Sequence, residues 1–135
     1  MIASETKIRV RYAEVDRMGY LHHGNYASYF EQARTDLIRK IGMSYREIED
    51  HGIAMPVRDM HIRFLYPAGY DEVLTIHTTL RNRPKVRLEF EYQVYNEKGT
   101  LICEASTILV FTNSESRKPV RMPDFFIPLI APYFK

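Results

Sequence analysis

Apolar and polar residues alternate most cleanly over Lys85 to Tyr95. There Val86, Leu88, Phe90, Tyr92 and Val94 interleave with Arg87, Glu89, Glu91 and Gln93. A period of two marks a strand with one buried face. The same period predicts strands over residues 5 to 13, with Ile8, Val10 and Tyr12 facing inward, and over Glu72 to Asn82, with Leu74, Ile76, Thr78 and Leu80 inward. Met55 to Leu65 reads likewise, with Met60, Ile62 and Phe64 on one face. Thr100 to Thr112 carries β-branched and aromatic residues on both faces, which predicts a central strand. Asn96-Glu97-Lys98-Gly99 has the composition of a hairpin loop.

The period changes between Asn25 and Ile41. Tyr26, Phe30, Ala33, Leu37 and Ile41 recur every three to four residues, which predicts a helix. Tyr29 and Ile38 widen its apolar stripe, as expected of a helix buried on more than one side. Asn25 is the expected N-cap and Gly42 the expected stop. Glu31 and Arg34 have the spacing of an ion pair. Ser44-Tyr45-Arg46-Glu47 is a capping box that opens a short helix ending at Gly52. The order is thus strand, long helix, short helix and four strands, followed by a basic stretch, Arg117 to Arg121, and an unassigned segment from Pro123. It predicts an α+β protein with an antiparallel sheet packed on a helix.

The sequence has 135 residues with 45% hydrophobic and 27% charged positions, which is ordinary for one globular domain spanning residues 1 to 135. A formal net charge of +2 gives no argument for nucleic acid, although a local basic cluster would suit an anionic ligand. The single cysteine, Cys103, excludes an intrachain disulfide and fits a reducing compartment. Met1 to Lys7 lacks the apolar core of a signal peptide, and no apolar run has the length of a bilayer span. A cytoplasmic protein without membrane or nucleic-acid partners is expected.

The loop from Glu14 to Gly24 holds Asp16, Gly19, His22 and His23 just ahead of the helix. A helix start presents unpaired N–H groups and partial positive charge. A carboxylate facing such donors can attack a carbonyl while they stabilise the oxyanion. A turn-forming aspartate is the plainer reading of Asp16.

The pattern Asp16-x-x-Gly19-x-x-x-His23-x-x-Tyr26, followed by Glu31-x-Ala33-Arg34 and by Tyr66-Pro67-Ala68-Gly69-Tyr70-Asp71-Glu72-Val73-Leu74-Thr75-Ile76, resembles the 4-hydroxybenzoyl-CoA thioesterase and acyl-CoA thioester hydrolase family. The resemblance implies the hotdog fold, an antiparallel sheet of five or six strands wrapped around a long central helix. It implies hydrolysis of an acyl-CoA to free acid and coenzyme A. By that resemblance Asp16 is nucleophile or general base, the main-chain N–H of His23 polarises the thioester carbonyl, and the His23 side chain supports them. Gly19, His22 and Tyr26 border the substrate; Gly19 and Gly24 supply positive φ or close approach. Arg83, Lys85 and Arg87, a solvated strand edge on composition alone, match basic residues that contact coenzyme A phosphates. Coenzyme A is then part of the substrate, and no cofactor or metal is expected. Adjacent histidines such as His22 and His23 usually point apart, and no ligand spacing completes a metal site. Cys103 reads as core. The resemblance also implies a homo-oligomer, a dimer or dimer of dimers (a homotetramer). Three other readings share these residues: a thioesterase acting on acyl-carrier-protein, a hydroxyacyl thioester dehydratase using His23 with Glu31, and a non-catalytic acyl-thioester binder.

Overall fold

The computed structural model describes residues 1–134. Strand β1 (Ile2–Arg9) leads through a 3₁₀ turn at Tyr12–Glu14 and a loop to helix α1 (Asn25–Lys40). Helix α2 (Tyr45–Asp50), β2 (Ile53–Ala54), β3 (Val57–Phe64), β4 (Val73–Leu80), β5 (Arg87–Tyr95), β6 (Leu101–Val110), β7 (Thr112–Asn113) and α3 (Ile127–Ile130) follow. The main sheet has five strands in the order β1-β4-β5-β6-β3, antiparallel throughout. β2 and β7 form a separate two-stranded ribbon. The molecule is therefore α+β, with five strands in its main sheet.

Alternation positions the core as expected in the middle of the sheet. Leu74, Ile76, Thr78 and Leu80 of β4 are fully buried, and so are Leu88, Phe90, Tyr92 and Val94 of β5. Helix α1 lies over this face, packed mainly on β1 and then on β4. It is sixteen residues long, and Tyr26, Tyr29, Phe30, Ala33, Leu37 and Ile38 are its buried apolar positions. The other helices are one or two turns. Among the described residues no helix is long and apolar enough to cross a membrane.

Four local expectations are corrected. β1 begins at Ile2, and Tyr12 faces solvent on the 3₁₀ turn, because the buried series Ile2, Thr6, Val10 ends before it. Asn25 is the first helical residue and Gly24 the N-cap; the Asn25 amide donates to the Glu14 and His22 carbonyls instead of accepting from the helix. Arg34 does not pair with Glu31. It turns inward, 5% exposed, and its Nε donates to the Tyr45 hydroxyl at 3.1 Å. Finally, Met60, Ile62 and Phe64 share a face as expected, but β3 is an edge strand, and Met60 and Phe64 are exposed. Gly42 does terminate α1, with φ of 117°, and the Ser44–Glu47 capping box opens α2.

Candidate active site

The loop between β1 and α1 is folded by its own polar groups. Asp16 Oδ1 accepts the Met18 N–H at 2.9 Å and the Tyr20 N–H at 3.2 Å. Gly19 N–H closes the turn on the Asp16 carbonyl at 2.9 Å, and Gly19 takes φ of 82°, where a side chain would be strained. Asp16 is thus a turn former, as its plainer reading has it. Among the described residues, however, its Oδ2 has no hydrogen-bond partner. The loop leans on the segment before β4, where Leu21 N–H donates to the Ala68 carbonyl at 2.8 Å and Tyr20 bridges Gly69. That contact accounts for the Pro67–Gly69 stretch in the sequence pattern.

Donors at the helix start are mostly used. His22 N–H bonds the Glu14 carbonyl, Gly24 N–H bonds the His22 ring nitrogen Nδ1 at 3.1 Å, and Asn25 and Tyr26 N–H close on the His22 and His23 carbonyls. The His23 N–H alone in this run meets no acceptor among the described residues. His22 and His23 do not point apart. Their ring centres lie 4.2 Å apart with the planes tilted by 31°, and His22 Nδ1 is taken up as the acceptor of the Gly24 N–H. Gly24 has an ordinary helical φ of −63°; a side chain there would instead meet the His22 ring at 3.2 Å. No group of three His, Cys, Asp or Glu among the described residues could hold a metal ion.

Asp16, Leu21, His23 and Tyr26 line a 290 Å³ cleft together with Tyr20 and the segment Phe64 to Pro67. Phe64 sets its edge against the Tyr26 ring at 5.2 Å. Burial pushes the Tyr26 phenol well above its ordinary range, so it stays protonated and is no base. Gly19 and His22 sit beside this cleft in the chain and do not line it. Behind the wall, Cys103 pairs across the sheet with Phe64, and burial pushes its thiol up to about 12. It remains core. A larger hollow of 590 Å³ lies between α2 and the β2–β7 ribbon, with Tyr45, Ile48, Met55 and Thr112 among its walls. Glu49 and Arg117 also line it, but it shares no lining residue with the Asp16 cleft.

Arg83, Lys85 and Arg87 do come together, with Asn82, Val86 and Glu89, around a 320 Å³ cleft at the β4–β5 turn. Within one chain they are remote from Asp16. The Asp16 loop abuts the residues before Val73, the start of β4, whereas the basic cluster follows Leu80, its end. An eight-residue strand separates them by about 25 Å.

Beneath the loop lies an acid that sequence reasoning missed. Glu14 is 7% exposed. Desolvation pushes its carboxyl up, but bonds from the Arg11 N–H, the Arg11 guanidinium and the Tyr29 hydroxyl outweigh this and hold it below the usual carboxylate range. Only the Arg11-x-x-Glu14 spacing hints at it in the sequence. Because its folded-state value lies below its unfolded one, Glu14 stabilises the fold fully above the unfolded value of about 4.3. That contribution is lost as pH falls through the folded value. Urea midpoints from pH 7 to 3 are therefore expected to drop less steeply in Glu14→Gln than in wild type; parallel curves would contradict this.

The sequence pattern of the thioesterase-like superfamily matches residues 10–128, which includes every element of this cleft. The chain belongs to the thioesterase-like superfamily. Among members of the superfamily, a Bacillus subtilis protein provisionally named the acyl-CoA thioesterase YneP is 34% identical over 126 residues, 93% of this chain and 91% of its own. The acyl-CoA thioester hydrolase YbgC of Escherichia coli O6:H1 is 29% identical over 86% of this chain and 87% of its own. The crystal structure of a DHNA-CoA thioesterase from Staphylococcus aureus superposes with a TM-score of 0.92 at 38% identity, covering 98% of this chain and 89% of that one. The five-stranded antiparallel sheet of a thioesterase-superfamily chain is the hotdog fold expected from the resemblance; in place of the expected long central helix, the sixteen-residue α1 lies on one face of the sheet.

Proposed function

We propose that this protein is an enzyme that hydrolyses acyl-CoA thioesters to the free acid and coenzyme A. The observation that carries the reading is the pairing of a free Asp16 carboxylate oxygen with the unengaged His23 N–H at one cleft of a thioesterase-superfamily chain. The thioester carbonyl oxygen accepts the His23 N–H, which holds the negative charge that develops as the carbonyl is attacked. Asp16 Oδ2 either attacks the carbonyl carbon, giving a mixed anhydride that water then opens, or takes a proton from the attacking water. In both routes the C–S bond breaks and coenzyme A leaves as its thiol. The His23 ring, edge-on to Phe64 at 6.4 Å, helps to shape the mouth. Gly19 and His22 serve indirectly: one permits the Asp16 turn, the other fixes Gly24.

The working unit in this proposal is a dimer, with α1 as the central helix wrapped by the joined sheets. β3 bonds only β6 and leaves its other edge free, while Val57, Met60, Phe64, Leu65 and Tyr66 are exposed along it. An open edge that exposes these apolar side chains among Arg58, Asp59, His61 and Arg63 leaves unpaired backbone groups that a second strand can bond. A two-fold interface would run β3 antiparallel to its copy. The Phe64–Tyr66 end, which walls the Asp16 cleft, then meets the opposite end of the partner's β3. The partner's Arg83, Lys85 and Arg87 lie toward that end, because Arg87 pairs with Val110 and Val57 with Leu109. The basic cluster would thus hold the phosphates of a coenzyme A whose thioester sits at the other copy's Asp16.

The test is thiol release from a panel of short, medium, long-chain and aryl acyl-CoAs. Tyr20, Tyr26, Phe64 and Tyr66 around the cleft make an aryl substrate the first to try. Turnover of at least one class is expected; no release from any of them would overturn the proposal.

A further inference from the structure

We propose that Glu14 is a positioning residue for this site, setting the separation of Asp16 and the His23 N–H by anchoring both to helix α1. The inference rests on the thioesterase reading of the cleft. Glu14 grips three parts of the chain. Its Oε1 accepts the Arg11 N–H at 2.8 Å and the Tyr29 hydroxyl at 2.7 Å, so the end of the 3₁₀ turn is fixed to the first turns of α1. Its Oε2 accepts the Arg11 guanidinium at 3.1 Å. Its carbonyl accepts the His22 N–H at 2.8 Å and the Asn25 side-chain amide at 3.0 Å. Asp16 stands two residues after Glu14, and His23 stands one residue after His22. Carboxylate and oxyanion donor therefore both hang from one anchored residue.

Stability alone accounts poorly for this arrangement. Burying a carboxylate is costly, and an apolar side chain of similar volume often stabilises as well or better. The Arg11 side chain is 80% exposed, so its ion pair is screened. The short bond from the buried Tyr29 hydroxyl is charge-assisted and directional, which suits a positional role. A site held too loosely by even 1 Å can lose about 10²-fold in rate.

The test measures kcat and KM separately on the best substrate of the panel, for wild type, Glu14→Gln, Tyr29→Phe and the double variant. All are assayed well below their melting temperatures. Glu14→Gln keeps the shape and removes the charge; Tyr29→Phe removes one hydroxyl from the helix side. Each single change is expected to lower kcat about 10- to 100-fold with KM within about threefold, because the acid touches no substrate. The double variant is expected to be no worse than the poorer single, since both cut the same tie. If Glu14→Gln does not fold, Tyr29→Phe decides the question by itself. Variants with wild-type kcat, or with raised KM and unchanged kcat, overturn the role of Glu14 and leave the thioesterase reading standing. A wild type inactive on every substrate removes both.

Discussion

Asp16→Asn is expected to lower kcat by about 10³-fold on the best acyl-CoA, with KM within a factor of a few, since removing a positioned base or nucleophile forfeits on the order of 10²–10⁴ in rate. The substitution is well suited to the geometry. An asparagine can keep its carbonyl oxygen where Oδ1 now accepts the Met18 and Tyr20 N–H groups, so the turn survives. Only Oδ2, the oxygen with no partner, is replaced by a donor that can neither attack nor take a proton. Stopped-flow thiol detection checks the rate, and circular dichroism checks that the thermal midpoint is unchanged. Loss of rate with intact fold and binding assigns the chemistry to Asp16. A variant as fast as wild type would return Asp16 to the plain role of turn former.

Mixing two defective variants is expected to raise activity at low substrate above that of either variant alone. The first is Asp16→Asn. The second replaces Arg83, Lys85 and Arg87 together with alanine, and by itself is expected to raise KM at least tenfold through lost phosphate contacts. If the basic cluster of one copy serves the Asp16 cleft of the other, each heterodimer has one complete site and one doubly defective site. Random exchange makes half the dimers mixed, so the mixture should reach about a quarter of wild-type activity at low substrate. If each chain supplies its own phosphate contacts, mixing yields no complete site and no gain. The separation of about 25 Å along β4 is the physical reason for expecting the first result. Met60→Lys on the exposed β3 edge gives an independent check, because Met60 is near the middle of β3 and two-fold pairing would bring the two new like charges together. A monomer by light scattering, with activity lost although Asp16 is intact, is the expected outcome.

The alternation of β4 and β5 was legible because these strands sit between neighbours and bury one face completely. The α1 stripe and the Ser44–Glu47 box were legible for the same reason, since local period and local capping decide them. β1 was misplaced because two of its alternating inward positions, Ser4 and Thr6, are polar, so the series appears to start late. Thr6 bonds Asp36 at 2.7 Å, a partner thirty residues away. Arg34 could have been assigned inward from its spacing to Phe30 and Ile38, but its tyrosine partners lie on other elements. The Asp16 loop was visible as a motif, and the resemblance supplied its roles. Glu14 was not visible, because what makes it notable is Tyr29 above it and the burial of both.

The order β1-β4-β5-β6-β3 has a consequence for how the chain acquires its structure. β4, β5 and β6 form a meander of sequence neighbours, closed by short turns at low entropic cost. β1 must wait for β4 across more than sixty residues, and β3 joins β6 across nearly forty. The meander is expected to be the folding nucleus, with the two edge strands added late. Native-state hydrogen exchange of the dimer should therefore find the slowest amides in β5 and the fastest-opening main-sheet amides in β1, the strand left at an edge once β3 pairs with its copy. Subunit pairing through β3 would then be the last event of folding, so a newly made chain would pass through a collapsed monomer before any competent site exists.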